Sequence, residues 1–383
     1  MGGGYCMKNI NEISLKILME ETNSSYWIIY QIMKEKTKDE AQLNIALMPF
    51  LSSVCDGWIM VFKLQNSDMA LPEINNLPFE KYVRSIRVSY KLYSDKKVNK
   101  INKTVHKSGL ERLRLLVTEY NIIQRIRIIL WGQPDLGVYS FKGTPYGNTS
   151  QLSIYLDKLV DIESTSSLSE YHDSLGSVLM DYSSILSTFI NSIVNDTFKD
   201  KVGLEKVGKF SSVEFQHKDY FYHDKKRKNI LGGALPKDTQ LFLFDIYCQN
   251  NFINNVMPLF LKESESLFYR SKLQTYLTSI NSLILIQKKY KTLINNEQAS
   301  SIEKLINEKK EYFTLENKLR NNVFHYCIEG IPVSVFKNPN CYFKELVEYS
   351  VGIEFKEFMR RIDNSLDEIN RIFCKIIMWN DKQ

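Results

Sequence analysis

Cysteine is scarce and unpaired in this chain. The six residues Cys6, Cys55, Cys248, Cys327, Cys341 and Cys374 form no C-x-x-C pair. That spacing excludes the paired-thiol redox and zinc motifs, and a chain of 383 residues needs no disulfide staples. Reduced thiols are therefore expected. Phosphate-binding and dinucleotide-binding glycine fingerprints are absent too, and Gly232-Gly233 is too short to cradle a phosphate. No serine or cysteine nucleophile motif occurs. The start, Met1-Gly-Gly-Gly-Tyr-Cys-Met-Lys8, lacks the apolar core of a signal peptide. Gly2 superficially suits myristoylation, but Cys6 stands where that motif takes Ser or Thr. No apolar run reaches the roughly 18 residues that would span a bilayer. These absences lead to the expectation of a soluble, cytoplasmic protein with no membrane partner, no cofactor and no metal.

What is present is an ordinary globular balance, 44% hydrophobic and 25% charged, which is ample for a core. The hydrophobic pattern predicts a mostly α protein. Residues 8–55 read as helices, and Leu168, Tyr171, Leu175, Leu179, Tyr182, Leu186, Phe189 and Ile193 form one long amphipathic stripe. Residues 241–261 read as a buried helix, and 264–295, 298–329 and 342–379 as three further long helical segments. Residues 82–93 suggest a strand, because Ile86, Val88, Tyr90 and Leu92 alternate with polar residues. Residues 109–131 fit both templates and are taken as helix on length. The stretch 132–149 collects Pro134, Gly137, Gly143, Pro145 and Gly147 and is the strongest breaker. The resulting division is 1–145, a helical or α+β region of unknown role; 150–261, a helical middle region; and 262–383, a C-terminal helical bundle.

Net charge is only +6, but it is unevenly spread. Between Lys81 and Ile129 there are 13 Lys and Arg against Asp95, Glu111 and Glu119, an excess of +10 that leaves −4 for the remainder. Such a stretch either attracts a polyanion or is a solvated helical face. A second basic run, Lys225, Lys226, Arg227 and Lys228, follows the aromatics Tyr220, Phe221 and Tyr222. Stacking faces beside cations suit single-stranded RNA, although an exposed loop has the same composition. The spacing of His217, Asp219, His223 and Asp224 is compatible with a metal site, but the plain exposed loop is the preferred reading.

One segment stands apart: Leu319-Arg320-Asn321-Asn322-Val323-Phe324-His325-Tyr326. RNA carries its own nucleophile, the 2′-hydroxyl, so its cleavage requires a group that moves protons near neutral pH and a cation for the phosphoryl oxygens. His325 suits the first task and Arg320 the second. Asn321 can hydrogen-bond the imidazole or the phosphate. On one helix Asn321 and His325 lie about 40° apart, whereas Arg320 and His325 lie about 140° apart.

The pattern Arg320-Asn321-x3-His325 resembles the active-site motif of the HEPN superfamily (higher eukaryotes and prokaryotes nucleotide-binding). The resemblance covers roughly residues 262–383 and includes the apolar Leu319 before the Arg and long helices on either side. It implies a metal-independent endoribonuclease with Arg320, Asn321 and His325 as catalytic residues and RNA as partner. It also implies a homodimer in which two motifs face each other, and a role in antiviral defence or as a toxin held by a regulatory or antitoxin partner. HEPN toxins paired with nucleotidyltransferase antitoxins carry a Tyr two residues after the His. Here Cys327 takes that place and Tyr326 follows the His directly, so adenylylation at that Tyr is not expected. The alternative is a non-catalytic helical module that binds RNA or protein.

Overall fold

The computed structural model describes residues 12–35, 40–65, 71–92, 121–132, 134–156, 159, 168–197, 214–222, 229–262, 265–314 and 318–379. The fold is mostly helical, as expected from the hydrophobic periodicity. Chain order begins α1 (Glu12–Glu35), α2 (Glu40–Leu64), a two-residue hairpin β1 (Glu73–Ile74) and β2 (Leu77–Pro78), α3 (Phe79–Leu92) and α4 (Ile122–Trp131). A second hairpin, β3 (Leu136–Phe141) and β4 (Thr144–Asn148), leads to α5 (Thr149–Leu156), α6 (Leu168–Thr197) and β5 (Phe215–Tyr220). The rest is α7 (Lys237–Asn251), α8 (Ser266–Lys289), α9 (Asn296–Tyr312), α10 (Leu319–Phe324), α11 (Tyr342–Val351) and α12 (Phe355–Ile377).

Several expectations change. Residues 82–93 are not a strand: Phe79–Leu92 is a helix whose buried face is Phe79, Tyr82, Val83 and Ile86, a helical rather than an alternating set. The breaker-rich stretch 132–149 forms a β-hairpin. Lys142 (φ 51°) and Gly143 (φ 78°) take the left-handed conformations its tight turn requires, and Pro145 is tolerated because β4 is an edge strand in the order β4-β3-β5. The helical segment 298–329 is broken, because α9 ends at Tyr312 and Lys318 is left-handed (φ 50°) before α10 begins.

Helix α2 has the length and composition of a bilayer-spanning helix, against the sequence expectation, but 83% of that window is buried inside the fold. It packs against α1, α3 and α6 as a core element. On α6 the expected stripe is inward: Leu175, Leu179, Tyr182, Leu186, Phe189 and Ile193 are all buried. Burying six such side chains stabilises the fold by roughly 1.5–3 kcal/mol each before entropy is counted. Helix α8 is the hub, touching α1, α7, α9, α10 and α12. Gly232 and Gly233 close the far end, their amides donating to the Ile377 carbonyl at 3.0 and 3.2 Å. A Cβ on Gly233 would lie 2.0 Å from the Ile376 carbonyl oxygen, so packing against α12 explains this glycine.

A polar seam runs through the core along α7. Asp245, 1% exposed, accepts hydrogen bonds at Oδ1 from Asn148 Nδ2 (2.7 Å) and Ser150 Oγ (2.7 Å). Among the described residues its Oδ2 and the Thr278 hydroxyl have no hydrogen-bond partner, and both residues line a cavity of about 10 Å³ shared with Gln151 and Gln249. Burial pushes the Asp245 carboxyl up to about 7, against the pull of Ser150 and Asn148.

Candidate active site

The motif lies on a helix of only six residues. Leu319 and Val323, four apart, are fully buried, so Arg320 and Asn321 are turned outward and exposed. The helix stops at His325, whose backbone is extended (φ −136°, ψ 144°) although its N–H still donates to the Asn321 carbonyl at 2.9 Å. The placement of Asn321 and His325 about 40° apart on one helix, expected from helical spacing, therefore does not apply, because His325 is not helical.

Two buried or half-buried ion pairs hold this segment. In the first, Arg270 of α8 places Nε 2.8 Å from both carboxylate oxygens of Glu21 on α1. Its Nη1 donates to the carbonyls of Asn322 (2.8 Å) and Val323 (2.9 Å), and Gln274 adds a third bond to Val323 at 3.0 Å. Arg270 thus satisfies carbonyls that a short helix leaves open at its C-terminus. The Tyr326 hydroxyl donates to Glu21 at 2.5 Å, and its ring lies 4.4 Å from the guanidinium. Burial works to lower the Arg270 guanidinium, but Glu21 outweighs it and keeps the cation charged. Burial likewise pushes Glu21 up, while Arg270 and Tyr326 pull it back. We take the pair as ionic, since both carboxylate oxygens are engaged.

The second pair reaches the histidine. Asp56 of α2 stands 3.0 Å from Arg87 Nε of α3, and Arg87 Nη1 lies 3.4 Å from His325 Nδ1. Burial raises the Asp56 carboxyl, with Arg87 and Arg84 opposing. A guanidinium has donors only, so as a hydrogen bond this contact requires Nδ1 to accept, which is the tautomer with its proton on Nε2. The approach of α2 depends on Gly57: a Cβ there would fall 2.7 Å from Tyr326 Cδ2 and 2.8 Å from Leu18 Cδ1.

The structure therefore brings His325 to Arg87 and, through it, to Asp56, residues that sequence reading missed. Arg320 is exposed on the α9 side, where after burial it is the second cause lowering the Lys309 ammonium. One signal was readable: Asp56 is the sole charge between Glu40 and Lys63 in an otherwise apolar helix. Lys225, Lys226, Arg227 and Lys228 lie outside the described residues, as do His223 and Asp224. His217 and Asp219 pair at 3.2 Å on exposed β5, and among the described residues no group of three or more His, Cys, Asp or Glu is placed to hold a metal. Comparison with family models, with curated proteins and with solved structures found no match.

Proposed function

We propose that the protein is a metal-independent endoribonuclease of HEPN type that acts as a homodimer in the cytoplasm, in antiviral defence or as a toxin under a regulatory partner. The observation that carries this reading is His325 itself. It is half-buried at the end of the motif helix, and its Nδ1 faces an Arg87 anchored by Asp56, which leaves Nε2 as the working group of this reading. In the reaction the 2′-oxygen attacks phosphorus, the P–O5′ bond breaks, the 2′-hydroxyl proton leaves to a base, and the 5′-oxygen gains a proton. A 2′,3′-cyclic phosphate and a 5′-hydroxyl result. His325 Nε2–H suits the proton delivered to the leaving oxygen, and Arg320, exposed near the start of the same short segment, suits the phosphoryl charge. The base then comes from the second copy's site, which is why a dimer is part of the reading. Cleavage of RNA by the purified protein in EDTA, compared with His325→Ala, is the test; equal cleavage by both refutes it.

A second reading, a non-catalytic bundle that binds RNA or protein, is favoured by the Glu21–Arg270–Tyr326 network, which uses the motif's backbone rather than its polar side chains. Loss of all cleavage with RNA binding retained in the wild type would select it.

A further inference from the structure

The polar seam along α7 leaves two deeply buried groups unmet. Asp245 is 1% exposed and Thr278 2%, yet among the described residues Asp245 Oδ2 and the Thr278 hydroxyl have no hydrogen-bond partner. Native folds satisfy nearly all such groups, with protein or with ordered water, because a buried polar atom left without a partner is costly. Both side chains line the same cavity of about 10 Å³, Asp245 from α7 and Thr278 from α8. Cavities that stay dry are lined by apolar side chains. Here only Ile246, of the seven residues around the cavity, has one. The volume takes one water molecule and nothing larger.

The neighbouring polar groups are already served. Asp245 Oδ1 takes Asn148 and Ser150. Gln151 Nε2 donates to the Asp245 carbonyl at 3.4 Å and to Gln249 Oε1 at 3.3 Å, and Gln151 Oε1 accepts from the Asn148 amide at 3.1 Å. Gln249 Nε2 donates to the Ala46 carbonyl at 3.1 Å. Two unmet groups therefore face one water-sized space. A water matches both. It donates to Oδ2 when the carboxyl is ionised, accepts from the O–H when it is protonated, and can do either toward the Thr278 hydroxyl. A metal cation serves only the ionised carboxylate, the form that burial disfavours here. We propose that this cavity is a binding site for a single water molecule, which bridges the Asp245 carboxyl of α7 to the Thr278 hydroxyl of α8 and so ties the two helices together. The bridge is independent of whether His325 cleaves RNA.

Thr278→Val, which keeps shape and removes the hydroxyl, gives a test of sign in the full chain. If the water is bound, the change breaks a hydrogen bond and leaves the water short of a partner. Urea unfolding should then show the variant destabilised, by about three- to tenfold in the unfolding equilibrium constant. If the cavity is dry, the same change removes a hydroxyl that was buried without a partner, and the variant should be as stable as wild type or more so. That result overturns the proposal. The melts are to be run in sodium chloride, in potassium chloride and in tetramethylammonium chloride of equal concentration. The gap between the two proteins should be the same in all three, whereas a gap that vanishes without a small cation would assign the site to that cation and also overturn the proposal. A crystal structure of the wild type, soaked in rubidium chloride, supplies a second measurement. One density peak about 2.5–3.2 Å from both Asp245 Oδ2 and Thr278 Oγ1, with no rubidium anomalous signal, is expected. No peak, or a rubidium signal in the cavity, counts against the water.

Discussion

Arg87 Nη1 stands 3.4 Å from His325 Nδ1, and these two residues are 238 positions apart in the chain. The contact makes the histidine's orientation and tautomer a property of α3 and, through Asp56, of α2. His325→Ala is expected to reduce RNA cleavage by on the order of 10²–10⁴, the usual share of a general acid or base. Arg87→Ala should lower it by a smaller factor with RNA affinity little changed, and Arg87→Lys should recover part, since a lysine keeps a donor but not the fork. Single-turnover cleavage of a labelled RNA in EDTA separates these effects. An Arg87→Ala protein as active as wild type would remove Arg87 from the site.

The Glu21–Arg270 pair is a stability element. Arg270→Met leaves Glu21 buried with its cation gone and exposes two carbonyls to an empty neighbourhood, so a loss of about 3–5 kcal/mol is expected in denaturant unfolding. Glu21→Gln/Arg270→Met should cost less than the two single changes added together, because the double variant buries no unpaired charge. Strict additivity would mean that the two side chains do not depend on one another.

The Asp245 carboxyl gives a pH dependence of definite sign. Its folded value, about 7, lies above the ordinary 3.8 because burial disfavours the carboxylate. Between these values the native state holds a proton that the unfolded state has released. The contribution of the neutral acid is therefore complete below about pH 4, declines as pH rises through the window, and is gone above about pH 7. Asp245→Asn keeps an acceptor for Asn148 and Ser150 and places a donor on the cavity side. It should be more stable than wild type at pH 8, by on the order of 1–4 kcal/mol, and lack the decline between pH 4 and 7. Urea melts at pH 5 and pH 8 check both statements; parallel pH profiles for the two proteins would contradict them.

The proposed dimer predicts that subunits share the Arg320 and His325 side chains. Arg320 is exposed and acts electrostatically on Lys309 of α9, while His325 Nδ1 faces Arg87. Mixing inactive Arg320→Ala and inactive His325→Ala subunits should restore a fraction of activity after exchange. A fully active monomer by sedimentation would exclude this arrangement.

Particular residues show how far the sequence could be read. The α6 stripe was legible because its core-facing side chains repeat at a helical period over many turns. Residues 82–93 misled because Ile86 and Val88 alternate with polar neighbours. The true buried set starts earlier, at Phe79, and skips Val88, which is 36% exposed. Pro145 and Gly143 were correctly seen as breakers, but a hairpin and a linker use the same residues for the same conformational reasons. At the site, Arg320, Asn321 and His325 were visible as a local pattern. The partners of His325 were not, since Asp56 and Arg87 sit among unrelated segments and become neighbours only through the packing of α2 on α3.

The Tyr326 hydroxyl and the Glu21 carboxylate that receives it are separated by 305 positions. The segment that bears His325 therefore has no finished shape of its own. A fragment reduced to residues 262–383 would keep every letter of the motif and lose Glu21, Asp56 and Arg87 together. During synthesis the same holds in time: α1 emerges first and must wait for α8 and the motif before the ring of His325 is set. Under the proposed ribonuclease reading, the site stays unassembled on the ribosome that is making the chain and takes shape only when the chain's early and late portions close on each other.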